Sequence, residues 1–319
     1  MSYAAAPGRE ASPTLVGMTG EVPSGAITIG VDDSDTSLEA LRWAVREAEL
    51  EQRPLCIVHA YDPRPVVYSG VGATFPGLEL SDALDTAAEE VLHRARHLVR
   101  EQAPRVPVTL VWSTLDPREA LAESARAAAL LVVASRGHGR MSQLLLGSVG
   151  LWVSQHAPCP VVVVRGKLDA SGEAVEHHWI VVGTDGSPSA DAALSFAFTQ
   201  AGLRQARLTV VRCLPAEVGG LHRAHEGLVE GDRPERRALE ESVAKLARRH
   251  PEVRVDTELR RGSAAGHLTR VSEGASMVVV GSRPRHGPGH RGFGGIRRAV
   301  VEHAACSVAV VPGHIGSDD

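Results

Sequence analysis

Aromatic residues are scarce in this chain: 3% of 319 residues, as four Trp, three Tyr and four Phe. Branched aliphatics and Ala must therefore fill any core. Cysteine is as sparse, and Cys56, Cys159, Cys213 and Cys306 show no C-x-x-C spacing. Nothing demands an oxidising compartment, and Cys159 and Cys306, at equivalent places beside a terminal strand, read as small buried thiols. Long apolar runs are missing too, since no stretch approaches the roughly 20 residues of a membrane span. The first 25 residues, rich in Ala, Gly, Pro and Ser, read as a disordered tail rather than a signal peptide. A cytoplasmic location is the expectation. Nor is there a strong excess of one charge: 34 Lys and Arg against 38 Asp and Glu give a net charge of -4, with the signs interspersed. That gives no electrostatic ground for nucleic acid or an anionic membrane.

What is present is said twice. Ala26-Ile27-Thr28-Ile29-Gly30-Val31-Asp32-Asp33-Ser34 returns 153 positions later as Trp179-Ile180-Val181-Val182-Gly183-Thr184-Asp185-Gly186-Ser187. Gly147 through Val164 matches Gly294 through Val311 at an offset of 147, so the second copy has a loop six residues shorter. This is an internal duplication, and the length fits two domains of about 150 residues. The boundaries predicted are a tail over 1–25, a first domain over 26–165, a linker over 166–178, a second domain over 179–312 and a tail over 313–319.

Each copy alternates short β-branched runs with helical patterns. Strands are predicted at Ala26–Val31, Leu55–Tyr61, Val106–Trp112, Leu130–Ala134 and Pro160–Val164, and in the second copy at Trp179–Thr184, Leu208–Leu214, Val253–Leu259, Met277–Gly281 and Ser307–Val311. Helices are predicted at Ser37–Glu51, Asp82–Gln102 and Arg118–Ala128, with counterparts at Ser189–Ala201, Pro234–Arg249 and Ala264–Glu273. Runs such as Leu130-Leu131-Val132-Val133 are apolar on both faces, as a parallel strand covered on both sides requires. The class is α/β: two doubly wound, Rossmann-like open sheets of five mainly parallel strands. Val161–Val164 and Val308–Val311 would be aliphatic sheet edges, which invite pairing between the halves or between chains. The stretch Asp62–Leu80 either covers a site or is a solvated connection.

In such a sheet, ligands bind beyond the carboxyl ends of the strands where strand order reverses. Asp32, and Asp185 in the copy, end the first strand there, placed either to accept from a ligand or to cap the next helix. After the fourth strand come Ala134-Ser135-Arg136-Gly137-His138-Gly139-Arg140 and then Gly147-Ser148-Val149 opening a helix. Glycines allow close backbone approach. A helix start offers amide donors to phosphate, Ser148 adds a hydroxyl, and Arg136, His138 and Arg140 add positive charge. The same loop is also compatible with a simple turn. No G-x-x-x-x-G-K-[ST] loop occurs and no G-x-G-x-x-G follows the first strand, which excludes a Walker ATPase and an ordinary dinucleotide dehydrogenase.

The strand reading into Gly-Val-Asp, the Ala-rich helix after it, Gly137 followed after nine residues by Gly147-Ser148, and His156-Ala157-Pro158-Cys159-Pro160-Val161 together resemble the universal stress protein family, in a tandem form covering Ala26–Arg165 and His178–Pro312. The resemblance implies an ATP site, with Mg²⁺ or Mn²⁺ carried by the nucleotide. Asp32 would face the adenine and ribose end, and Ala60, after His59, would touch the base. Val133 and Ala134 would bring backbone to the ribose and first phosphate, and Gly137, Gly147, Ser148 and Val149 would cradle the phosphates. It also implies a homodimer, or an intramolecular pseudo-dimer through the terminal strands.

Both copies depart from the family pattern. In the first, Asp33 stands where Gly is usual and Ala134 replaces the first loop glycine, which predicts weakening of the site rather than loss. In the second, Pro284 replaces a glycine and Gly295 the phosphate-contacting Ser, although Arg283, Arg285, His286 and Arg291 add charge. The second-copy site, at Asp185, Cys213, Val280, Gly281, Arg283, Gly294 and Gly295, is therefore expected to be weak or lost. His286 and His290 lack helical register and a third ligand, so no metal site is assigned. No residue is a positioned nucleophile or general base, so the expectation is a nucleotide-dependent regulator with at most slow ATP hydrolysis. A dimerisation or scaffold module with degenerate sites is the alternative. A nucleotidyl-transferring enzyme is disfavoured, because no Ser-Gly-Gly or His-x-Gly-His signature follows the first strand.

Overall fold

The computed structural model describes residues 18–63, 77–135, 147–165, 178–215, 232–282 and 293–313. In chain order the first half is β1 (Met18–Thr19), β2 (Ile27–Gly30), α1 (Asp35–Glu51), β3 (Leu55–Ala60), α2 (Gly77–Gln102), β4 (Val108–Ser113), α3 (Pro117–Ser124), β5 (Leu130–Ala134), α4 (Ser148–His156) and β6 (Val161–Val164). The second half is β7 (Trp179–Thr184), α5 (Pro188–Arg204), β8 (Arg207–Leu214), α6 (Arg233–Ala247), β9 (Val255–Arg261), α7 (Ala264–Val271), β10 (Met277–Ser282), α8 (Phe293–His303) and β11 (Ser307–Pro312).

Local chemistry accounts for the element ends. Helix α1 starts at Ser34, whose side chain accepts from Ser37 N, with Asp35 in the first turn, where a negative charge suits the helix dipole. It stops at Gln52, in the left-handed region at φ 53°, whose N–H returns to Ala48 O. Helix α3 is capped by Asp116 and ends short of the predicted Ala128; Ser124 Oγ bonds back to Ala120 O at 2.8 Å, which weakens continuation. Strand β4 begins two residues later than predicted, after Pro107, which has no N–H to give a ladder. Helix α2 begins at Gly77 and takes the end of the stretch read as loop. The tail is shorter than expected: Met18 and Thr19 pair antiparallel with Ser113 and Trp112, so part of 1–25 is strand and covers the β4 edge.

Two five-stranded units do form, but they are one sheet. The eleven strands run β1-β4-β3-β2-β5-β6-β11-β10-β7-β8-β9. Strands β2–β6 and β7–β11, five in each half, form the parallel ladders, and β6 and β11 join antiparallel through Val308↔Val163, Ala309↔Val162 and Val310↔Val161. Val162 and Ala309 are equivalent positions of the repeat, so a local twofold passes between them. This is the intramolecular version of the expected edge pairing.

Alternation along each strand sends one set of side chains to each face. Ile27, Ile29, Leu55, Ile57, Leu130 and Val132 pack under α1 and α2, continuous with Ile180, Val182, Leu208 and Met277 under α5 and α6. On the other face Val58, Leu131, Val133 and Val163 continue into Val181, Val211, Val278 and Val308 under α3, α4, α7 and α8. The halves therefore share two core layers instead of owning one core each. Arg165, just past β6, crosses the seam and donates to Ala304 O and Val301 O at 2.6 Å and Glu302 O at 2.9 Å, capping the C-terminus of α8.

Candidate functional site

Strand order reverses at β2, which has β3 on one side and β5 on the other, so the crevice of the first half opens beyond their carboxyl ends. Gly30 lets α3 approach: a Cβ there would lie 2.8 Å from Leu121 Cδ1, and Gly183 stands in the same relation to Leu268 at 2.9 Å. Asp32 follows at the strand end. Its Oδ1 accepts from Ser34 N at 3.1 Å and Ser34 Oγ at 2.5 Å, while Asp32 N donates to Ser37 Oγ at 2.9 Å. Ser34 is the cap of α1, so Asp32 orients the cap rather than replacing it.

At the end of β3, His59 Nδ1 lies 2.9 Å from Val31 O, and Ala60 is half-buried beside it. Tyr61 stacks on Trp112 with ring centres 6.3 Å apart and donates its hydroxyl to Asp85 of α2. Burial, then the bond to and charge of Asp85, push the Tyr61 phenol up, so it stays a neutral donor. Sequence reasoning did not single out Tyr61, Trp112 or Asp85. The signal was available: in a chain this poor in aromatics, His59-Ala60-Tyr61 sends two rings to one side of the end of a strand.

At the end of β5, Val133 is buried and Ala134 pairs with Val164 in extended backbone, so its methyl imposes no strain. Gly147 N donates to Ser135 O at 2.8 Å, which brings the start of α4 back onto the end of β5. Gly147 is the N-cap, so the cap residue offers no side chain and none among the described residues caps this helix; Ser148 is its exposed first residue and Val149 is half-buried. Asp32, Ala60, Val133, Ala134, Gly147, Ser148 and Val149 thus stand along one edge of the sheet. Arg136, Gly137 and His138 lie outside the described residues, as do Arg140, Arg283, Pro284, Arg285, His286, His290 and Arg291.

The same edge of the second half is built differently. Asp185 Oδ1 accepts from Ser187 N at 2.9 Å, and Gly186 adopts φ +77°, a turn that Asp33 does not share. Arg212 occupies the His59 position; its guanidinium sits over Gly186 and pairs with Glu235 at 2.5 Å. Cys213 replaces Ala60, and next to it Glu258 is bonded by Arg260 and, at 3.1 Å, by His267 Nε2. Burial alone would raise the Glu258 carboxyl, but these bonds outweigh it and hold it below its ordinary value. The first half has Val111, Ser113 and Ala120 at the positions of Glu258, Arg260 and His267. Val280 is buried, Gly281 pairs with Val311, and Arg297 of α8 donates to Ser282 Oγ at 2.7 Å. Gly294 and Gly295 lie in the first turn of α8, near where Gly147 and Ser148 begin α4.

The cysteines are free thiols, and burial pushes Cys56 and Cys159 up to about 12, which makes them inert. Among the described residues no three of His, Cys, Asp and Glu converge as metal ligands, and no helix is long and apolar enough to cross a membrane.

Comparison with known proteins follows the duplication. The model of the universal stress protein family matches residues 24–165 and again 177–312. A universal stress protein of Mycolicibacterium smegmatis is 31% identical over 296 residues, covering 89% of this chain and 96% of its own length. One from Mycobacterium tuberculosis is 31% identical over 292 residues, covering 89% and 95%. In fold, a universal stress protein from Archaeoglobus fulgidus superposes with a TM-score of 0.68 at 18% identity, over 91% of this chain and 99% of that one. Two matches in one chain, over halves that share a single sheet, place this protein in the universal stress protein family as a tandem member.

Proposed function

We propose that the first half binds ATP, with Mg²⁺ or Mn²⁺ carried by the nucleotide, and that occupancy makes the chain a nucleotide-dependent regulator in the stress response. The observation that carries this is the uncapped start of α4, held against the end of β5 by the Gly147 N to Ser135 O bond, at the strand-order reversal beside Asp32. Free amides at a helix start, a hydroxyl at Ser148 and a glycine that admits close approach suit a phosphate chain. The half-buried, uncharged surface of Ala60 suits a base and the backbone of Val133, whose side chain is buried, suits the ribose, with Asp32 as the acceptor for either. Arg136, Gly137 and His138 would complete the phosphate side.

The second half is proposed to bind nucleotide weakly or not at all. The Arg212–Glu235 pair over Gly186 and the Glu258–Arg260–His267 group fill its base end with charge already committed inside the protein. For this half, a role in pairing and scaffolding is the better reading. A regulator acts only if its ligand favours one conformation over another, and the linked sheet offers a route between the halves.

Calorimetric titration of the nucleotide-stripped chain with Mg-ATP tests the proposal. One site per chain is expected. Asp32→Ala should weaken it by roughly ten- to a hundredfold, the scale of losing one charge-assisted hydrogen bond, while Asp185→Ala should leave it unchanged. Two equal sites would overturn the asymmetry. No heat at millimolar ATP would leave the interaction module as the account of both halves.

A further inference from the structure

Helices α1 and α5 pack side by side across the local twofold, and their contact holds a buried polar group. Glu47 of α1 is fully buried. Gln200 of α5, also buried, donates through Nε2 to Glu47 Oε1 at 2.8 Å and to Glu51 Oε1 at 3.0 Å. Arg204 of α5 donates to Glu47 Oε2 and to Gln200 Oε1, with its guanidinium 5.6 Å from the centre of the Trp43 ring. Arg53, in the turn after α1, lies 2.9 Å from Glu51 Oε2 and is itself largely exposed. Two carboxyls therefore face one amide and one enclosed guanidinium, and Glu51 keeps only 16% of its side-chain exposure.

We propose that Glu47, Glu51, Gln200 and Arg204 form a proton-held clasp between the two halves, engaged while the two carboxyls hold one proton and loosened when both are ionised. One guanidinium inside the seam neutralises one carboxylate. A second negative charge there has no enclosed cationic partner among the described residues, and Arg53 answers it only from the solvent side, where an ion pair contributes little. Buried unpaired charge is strongly unfavourable, so the cluster takes up a proton instead. Burial first, then the hydrogen bond to and charge of Glu47, raise the Glu51 carboxyl from 4.5 to about 7, with Arg53 pulling the other way. The sign of the effect follows from linkage. Between 4.5 and about 7 the closed seam binds a proton that the opened seam does not. Closure is therefore favoured towards lower pH; the advantage shrinks as pH rises to about 7 and is constant above it. The clasp is independent of whether nucleotide binds.

The test uses the full chain labelled at the Glu carboxyl carbon, followed by NMR from pH 5 to 9, together with amide exchange over Trp43–Glu51 and Phe196–Arg204. One Glu resonance should titrate near neutrality and vanish in Glu51→Gln. Protection of those two segments, corrected for intrinsic exchange, should fall about tenfold between pH 6 and 8 in the natural chain, because only the closed state holds the proton there. In Glu51→Gln, which keeps the hydrogen bond and removes the charge, protection should be level over the same range. A Glu51 that titrates as an ordinary carboxyl would overturn the proposal, and so would protection that is level in the natural chain or that falls equally in the variant.

Discussion

The two halves agree in strand order and in the pairing of sheet and helices, and they differ wherever each meets something outside itself. At the seam, Glu47 and Glu51 of α1 stand opposite their own repeat equivalents, Gln200 and Arg204 of α5. Two copies of the first half would bring four carboxyls together there. The natural pair brings two carboxyls, an amide and a guanidinium. Arg165 reaches across to cap α8, whereas its equivalent Pro312 has no donor to return to α4. At the two separate crevices, His59 and Ala60 of the first half correspond to Arg212 and Cys213 of the second. Duplication supplied two equal surfaces, and divergence made one complementary to the other instead of to itself. The halves are complementary at the seam and carry different charged groups at their crevices.

Substitutions that cross the comparison test it. The largest effect is expected from Arg165→Ala, which leaves three carbonyls at the end of α8 without their cap and should cost about 2–3 kcal/mol in urea unfolding. Pro312→Ala should be near neutral; equal costs would mean that the seam is symmetric. Gly186→Asp copies the first half into a turn at φ +77° and should lower stability by roughly 1–2 kcal/mol. Thr28→Val copies the second half into the first. The Thr28 hydroxyl is buried with no hydrogen-bond partner among the described residues, and Val181 fills its place in the other copy. A stabilisation of about 1 kcal/mol is expected by thermal unfolding, from removing an unsatisfied polar group; a loss would mean that the hydroxyl is satisfied. Smallest is Asp33→Gly. It removes the exposed pair with Arg94 and should change stability by less than about 0.5 kcal/mol.

Much of this was legible in the residues. Apolar runs such as Leu130-Leu131-Val132-Val133 called for strands covered on both faces, and those residues divide between the two layers as alternation requires. Asp32 and Gly147 were placed at the switch point by their position after strands one and four. The Tyr61–Trp112 stack was not legible, because Trp112 belongs to a strand 51 residues away and only β3–β4 pairing brings the rings together. Strand β1 was missed for a similar reason. Two residues carry no periodicity, and they are a strand only because β4 presents an open edge.

The sequence by itself determined the two α/β units, their repeat and which residues stand at the carboxyl ends of the strands. These follow from local alternation, helix starts and glycine spacing, which neighbouring residues specify. Only the tertiary structure decided that the units fuse through β6 and β11 into one sheet, that Glu47 and Glu51 share Gln200, and that the charges of the second crevice are spent on one another. Contacts between residues some 150 positions apart depend on which edges and helix faces meet in space, and that choice is made by packing and charge across the seam.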